Sequence, residues 1–235
     1  MSEKVDYFVW LSYPLDTSAP SYGNGEGFKV ECIKDISKGD SCNTSLWHLP
    51  NHIGTHVDAP IHFESNSKSI DVFSPDFWMF SNISVVKDPI ISEGMCIVLD
   101  ENFEKMPKDT ELVLIYTGFC KHRKEKKYWD SNPGLSSELA LFLRETYPNL
   151  RAVGIDSISI SSWKNRDEGR KAHKAFLHSD YPGNPIVLIE DMDLTILKDS
   201  VNIISCLILP IRVKGADGAP CTIIAGVKNA KGNII

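Results

Sequence analysis

Several things are missing from this chain of 235 residues, and each absence removes a class of protein. No apolar run approaches the ~20 residues that cross a bilayer, so no membrane-spanning helix is expected. Positive charge is not in excess. Lys and Arg number 25 against 31 Asp and Glu, a net charge of -6, so there is no electrostatic case for nucleic acid or an anionic membrane as partner. The six cysteines, at 32, 42, 96, 120, 206 and 221, contain no Cys-x-x-Cys pair. Scattered in this way they read as reduced thiols of a cytoplasmic protein rather than a disulfide framework. A Gly-x-Ser-x-Gly elbow is absent, which argues against a serine hydrolase. Met1-Ser2-Glu3-Lys4-Val5-Asp6 carries acids among its charges with no long apolar run behind it, which argues against a secretory signal. Internal repeats, low-complexity segments and linkers are also absent. With 42% hydrophobic residues, residues 1–235 are expected to form one domain with a substantial core.

What is present is concentrated. Of seven histidines, four fall at 48, 52, 56 and 62, and His52 to His62 spans eleven positions with Asp58 among them. Imidazole and carboxylate are the ligands of a divalent metal that takes nitrogen and oxygen donors. Val57 separates His56 from Asp58, so in extended backbone both face one side. Gly54 permits a tight turn that returns His52 toward the same point. Pro60 blocks helix and holds Ala59 extended. His62 is expected farther along the same face, placed for proton transfer rather than ligation. His48 is a further candidate, though between Trp47 and Leu49 it reads as a packed strand histidine.

Short apolar or alternating runs at 7–11, 28–33, 83–86, 95–99, 112–116, 152–156, 185–190, 202–209 and 221–226 predict strands, that at 202–209 central. Ser136 is positioned to cap a helix reaching Tyr147. Strands outnumber helices and a helix lies between strands, which predicts a mixed α/β fold with a large sheet. The basic tract 121–127 reads as a solvated loop. The charged stretch 163–171 reads as an exposed loop or helix start, from which Arg166 or Arg170 could hold a substrate carboxylate. Phe77 and Trp78, near Phe73 and Phe80, either wall a pocket for a flat ring or form core beneath a loop. Glu190 is a lone acid ending an apolar strand, and a cation would remove the cost of burying it.

The string His52-Ile-Gly-Thr-His56-Val-Asp58-Ala-Pro-Ile-His62-Phe resembles the signature of the cyclase-like metal-dependent hydrolases, a family that includes bacterial kynurenine formamidase and isatin hydrolase. Thr117-Gly118-Phe119, Pro133-Gly134-Leu135-Ser136, Gly154-Ile155-Asp156 and the closing segment 210–220 are similar to family motifs. The resemblance implies a swivelling β/β/α fold whose barrel-like mixed sheet carries the site at one end. It implies His173 and Glu190 as a distal half-site, with His178 competing for the place of His173. At the family's pocket-shaping Asp-Leu-Ser-His-Pro this chain has Trp10 and Tyr13 in place of the acid and the histidine. Trp10, Tyr13, Phe77 and Trp78 are therefore the substrate-binding candidates.

The ligand set expected is His52, His56, Asp58, His173 and Glu190, holding one or two divalent ions, Zn or Mn, with His62 as general base and acid. The expected activity is hydrolysis of a small-molecule amide, as an arylformamidase converts N-formylkynurenine to kynurenine and formate. A related cyclase, lactam or lactone hydrolase and a non-catalytic metal-stabilised binding protein are the other readings. A small-molecule substrate is the expected partner, and the family resemblance implies a homodimer or homotetramer.

Overall fold

The computed structural model describes residues 4–199 and 201–229, so the N-terminal reading above rests partly on Met1, Ser2 and Glu3, which lie outside them. In chain order the first strands are β1 (Tyr7–Trp10), β2 (Lys29–Lys34), β3 (Thr44–His48), β4 (His56–Asp58), β5 (Met79–Phe80), β6 (Ile83–Lys87) and β7 (Cys96–Ile97). β8 (Leu112–Tyr116), β9 (Gly134–Leu135), β10 (Ala152–Ile155), β11 (Val187–Glu190), β12 (Val201–Pro210) and β13 (Gly218–Asn229) follow. The helices are α1 (Glu101–Glu104), α2 (Lys127–Asp130), α3 (Ser137–Thr146) and α4 (Arg166–Leu177).

The central strands have no wet side. Along β8, Leu112 and Leu114 enter one cluster with Val57, Ile189 and Ile223, while Val113 and Ile115 enter another with Val153, Leu143 and Phe176. Successive residues of a strand point to opposite faces, so a strand covered on both faces must be apolar throughout. The main sheet runs β5-β12-β13-β4-β11-β10-β8-β6, and β1 also pairs with β13. The β6, β8, β10 and β11 pairings are parallel, and β4 lies antiparallel between β11 and β13. β6 returns to pack against β12, so the mixed sheet nearly closes into a barrel. The stretch expected as a central strand is β12, which instead sits near one end of this order.

α3 and α4 cover the outer face together. Ser136 Oγ accepts from the Leu139 amide at 3.2 Å, as its capping position predicts. Leu139, Ala140 and Leu143 form the buried face of α3. Arg144 on α3 is buried, and its guanidinium donates to the carbonyls of Ala175 (2.7 Å), His178 (2.8 Å), Tyr181 (2.9 Å) and Gly183 (2.7 Å). Carbonyls at a helix C-terminus have no partner within the helix, and Arg144 supplies one. That contact fixes α4, and α4 carries His173.

β2 and β3 form a separate two-stranded hairpin, exposed along its whole length. This corrects the reading of His48 as a packed strand residue. Its side chain is 56% exposed, with Nε2 3.7 Å from Glu31 Oε2, because every position of the hairpin stays exposed among the described residues.

Candidate metal centre

The site is built on β4 and its two neighbours. Antiparallel register puts Glu190 of β11 opposite His56, and Gly218 of β13 opposite Asp58. Gly54 adopts φ +62 and turns His52 back, as expected. A Cβ at position 218 would run into the His52 ring and the Val57 carbonyl, so glycine there lets β13 close over the site. His62 departs from the expected geometry. The chain leaves β4 at Ala59, and Pro60 opens a 3-10 turn, Pro60–His62, with the His62 amide on the Ala59 carbonyl at 2.9 Å. His62 therefore arrives by a turn and not along an extended face.

Asp58 is the hub. Its Oδ1 lies 2.7 Å from His52 Nδ1 and 3.4 Å from His56 Nε2, and its Oδ2 lies 3.6 Å from His173 Nε2. Glu190 completes the group, with Oε2 3.4 Å from His56 Nε2 and Oε1 3.5 Å from His173 Nε2. Two donor sets result, His52–His56–Asp58 and Asp58–His173–Glu190, each with its ligand atoms within 4.8 Å of one another. His178 stays outside both, beside Glu64 and Asp180.

The two buried carboxylates favour positive charge at this point. Burial opposes charging of His173, but hydrogen bonds to Asp58 and Glu190 outweigh it and lift its pKa to about 10. The same balance raises His56 well above the ordinary range. Burial and the nearby Asp58 push the Glu190 carboxyl up, and hydrogen bonds with His173 and His56 overcome both and hold it at about 2. Ser159 Oγ and the Ile160 amide also donate to Glu190 Oε1, at 2.9 and 2.7 Å.

These residues fit a divalent metal. His56 Nδ1 donates to the Gly54 carbonyl at 2.8 Å, and His173 Nδ1 to the Gly169 carbonyl at 2.9 Å. With Nδ1 held in this way, Nε2 of each ring faces two buried carboxylates, and a ring in its neutral form would turn a lone pair on them. That arrangement is repulsive unless a proton or a cation lies between, and an outer-shell carbonyl bond of this kind is how proteins orient a metal-binding histidine. No cysteine joins the set, so the donors are nitrogen and oxygen.

A residue that the sequence did not single out holds the remaining histidine. Asp217, just before β13, accepts from His62 Nδ1 at 2.8 Å and approaches His52 Nε2 at 3.0 Å. These three form a third cluster, more exposed than the other two. Its only signal in the sequence is an acid beside Gly218 in the closing segment.

The cluster forms the floor of a cavity of about 500 Å³, which Tyr22, Phe63, Arg166 and Arg170 also line. Phe63 stacks on the His173 ring at 4.7 Å. The four aromatic residues expected at the substrate lie elsewhere. Trp10 points outward from β1 and is 64% exposed, because alternate residues of that strand face solvent. Phe77 and Trp78 pack with Phe73 against the core under a loop. Tyr13 lies under the Arg123 guanidinium, 4.0 Å from ring centroid to carbon, and lines a different hollow.

The barrel-like α/β sheet thus sets a cluster of His, Asp and Glu donors that could hold a metal ion at its strand ends. The chain belongs to the Cyclase family, whose model, described as "Putative cyclase", matches residues 9–162. His173 and Glu190 fall outside that match, so their place in the site rests on the geometry above. A kynurenine formamidase of Bacillus anthracis is 25% identical over 219 residues, covering 92% of this chain and 96% of its own. Isatin hydrolase A from Labrenzia aggregata, solved with benzyl benzoate, superposes with a TM-score of 0.72 at 18% identity, covering 95% and 94% of the two chains. A predicted metal-dependent hydrolase from Bacillus stearothermophilus superposes with a TM-score of 0.69 at 18% identity, covering 93% and 97%.

Proposed function

We propose that this chain is a metal-dependent hydrolase of small-molecule amides, with arylformamidase-like cleavage of N-formylkynurenine to kynurenine and formate as its reaction type. The observation that carries this is the sharing of Asp58 by two nitrogen and oxygen donor sets on a cavity floor, with His62 beside them but tied to Asp217. The kynurenine formamidase relatives support the choice of C–N bond.

His52, His56, Asp58, His173 and Glu190 would hold one or two ions, Zn or Mn. When bound, such an ion supplies Lewis acidity toward a carbonyl and makes water a nucleophile near neutral pH. His62 moves the protons. Asp217 accepts its Nδ1–H, which leaves Nε2 as the free base. Nε2 takes the proton from water and returns it to the departing nitrogen, which must leave as an amine. Phe63 and Tyr22 give the cavity apolar wall for an aromatic ring.

Exposed Phe8 (68%), Trp10 (64%), Trp47 (63%) and Met79 (58%) support assembly into a homodimer or homotetramer, since isolated chains rarely leave so much apolar surface wet. The six cysteines are all free, which supports a cytoplasmic location. Among the described residues no helix is long and apolar enough to cross a membrane.

A panel of N-formyl aryl amides, lactams and lactones, assayed with added Zn or Mn, tests the reading. Turnover of the formyl amides supports it. Turnover of lactams or lactones alone would move the assignment to a cyclic substrate, and metal-dependent folding without any turnover would make the chain a binding protein.

A further inference from the structure

Two arginines that this chemistry does not use stand at the mouth of the same cavity. Arg166 and Arg170 are four residues apart on α4, and His173 follows three later. That spacing lays all three along one stripe of the helix. All three line the cavity. At 1.5 Å rise per residue, Arg166 is about 10 Å and Arg170 about 4.5 Å along the axis from His173.

Among the described residues neither guanidinium is paired with a buried carboxylate. Among the described residues Arg166 has no carboxylate partner. It rests instead on the Trp163 ring, 4.9 Å from the centroid, and Trp163 meets Tyr22 edge-on at 5.2 Å. Arg170 approaches Asp167 at 3.5 Å, but that acid is 91% exposed, and such surface pairs contribute little. The other acid of the first turn is engaged elsewhere. Glu168 accepts from the Ser137 amide and hydroxyl, both at 2.7 Å, and faces Lys171 at 3.7 Å. On a chain of net charge -6, the mouth of this cavity is therefore cationic.

A planar guanidinium with free donors matches a carboxylate bidentately. Stacking on Trp163 holds one fork in place before any ligand arrives, so less freedom is lost on binding. We infer that Arg166 and Arg170 form the subsite that holds the carboxylate which a substrate such as N-formylkynurenine already carries, and that these two residues select acids over neutral amides. The scissile carbonyl lies at the His56, Asp58 and Glu190 floor, and the carboxylate lies at the mouth. This rests on the amide hydrolase reading, and it adds a reason for specificity: a neutral amide of the same shape offers neither fork a carboxylate inside the cavity.

The test uses Arg166→Gln, Arg170→Gln and the double variant, all metal-loaded. Calorimetry compares 2-aminobenzoate with its neutral isostere 2-aminobenzamide. The wild type should prefer the carboxylate, and in the double variant that preference should fall on the order of 10–100-fold. A preference unchanged in the double variant would mean that the metal alone holds the anion, and would overturn the subsite. So would equal affinity of the wild type for the two probes. In parallel, turnover of N-formyl-2-aminobenzoate is compared with that of its methyl ester. The ratio of kcat/KM values should fall by the same order, mainly through KM for the acid. The two claims can fail separately. A wild type that binds the carboxylate through the arginines yet cleaves neither amide defeats the hydrolase reading and keeps the subsite. A wild type that cleaves acid and ester alike, with the same ratio in every variant, defeats the subsite and keeps the hydrolase.

Discussion

Glu190 and His56 face each other across the antiparallel register of β4 and β11, with Oε2 3.4 Å from Nε2. A strand ending in an acid has thereby been laid beside the histidine stretch, and Asp58 joins the two donor sets. Removing the shared carboxylate should dismantle both. Asp58→Ala is expected to lose metal and activity together, measured by elemental analysis and turnover on one dialysed preparation. Wild-type metal content in that variant would take Asp58 off the ligand list.

His62 should separate metal from chemistry. Its Nδ1 is held by Asp217, not by Asp58 or Glu190. His62→Ala should keep its metal and its fold while kcat falls by ~10²–10⁴. Added imidazole should restore part of the rate. Loss of metal would instead make His62 a ligand of the exposed cluster with His52 and Asp217. Retention of both metal and activity would leave it without a role.

Metal uptake should release protons. Burial disfavours the imidazolium of His173, yet Asp58 and Glu190 lift its pKa to about 10. Below that pH the metal-free protein keeps Nε2 protonated, and a ligand nitrogen must be bare. Affinity should therefore fall as pH falls and rise toward pH 10. Adding zinc to metal-free protein in weak buffer with a pH indicator should acidify the solution. Binding with no proton release at pH 7 would contradict this assignment of His173.

A buried ion pair holds the two halves of the site in register. Arg123 Nε and Nη2 reach Asp191 Oδ1 and Oδ2 at 2.9 and 2.7 Å, and Tyr128 donates to Oδ1 at 2.6 Å. Asp191 follows Glu190, and its carbonyl accepts from Thr55, the residue before His56, at 2.5 Å. Burial pushes the Asp191 carboxyl up, and Arg123 pulls it back only in part. Arg123→Ala strands that acid and should destabilise the fold by ~3–5 kcal/mol in urea titration. A change below ~0.5 kcal/mol, the size of an ordinary surface substitution, would show the pair to be dispensable.

The first half of the candidate site was legible because the residues proposed as its donors are neighbours. His52, His56 and Asp58 declare themselves within a few residues of Gly54 and Pro60, and Glu190 declares itself as an acid closing an apolar run. The strands were legible because burial on both faces leaves continuous apolar segments such as β8. What was hidden depends on tertiary approach. Asp217 is one acid in a turn until β13 pairs with β4 and brings it to His62. Arg123 sits in a tract whose charge density reads as solvated, but the fold turns this one member inward to Asp191, leaving its side chain 14% exposed. Aromatic composition could not tell wall from core, and Phe77 and Trp78 went to the core while Tyr22 and Phe63 took the wall.

The most direct test of the account measures metal content and formyl-amide hydrolysis on one untagged preparation, before and after chelation. The account predicts one or two Zn or Mn ions per chain, loss of turnover when they are removed, and its return when Zn or Mn is restored. Undiminished hydrolysis by metal-free protein would contradict it.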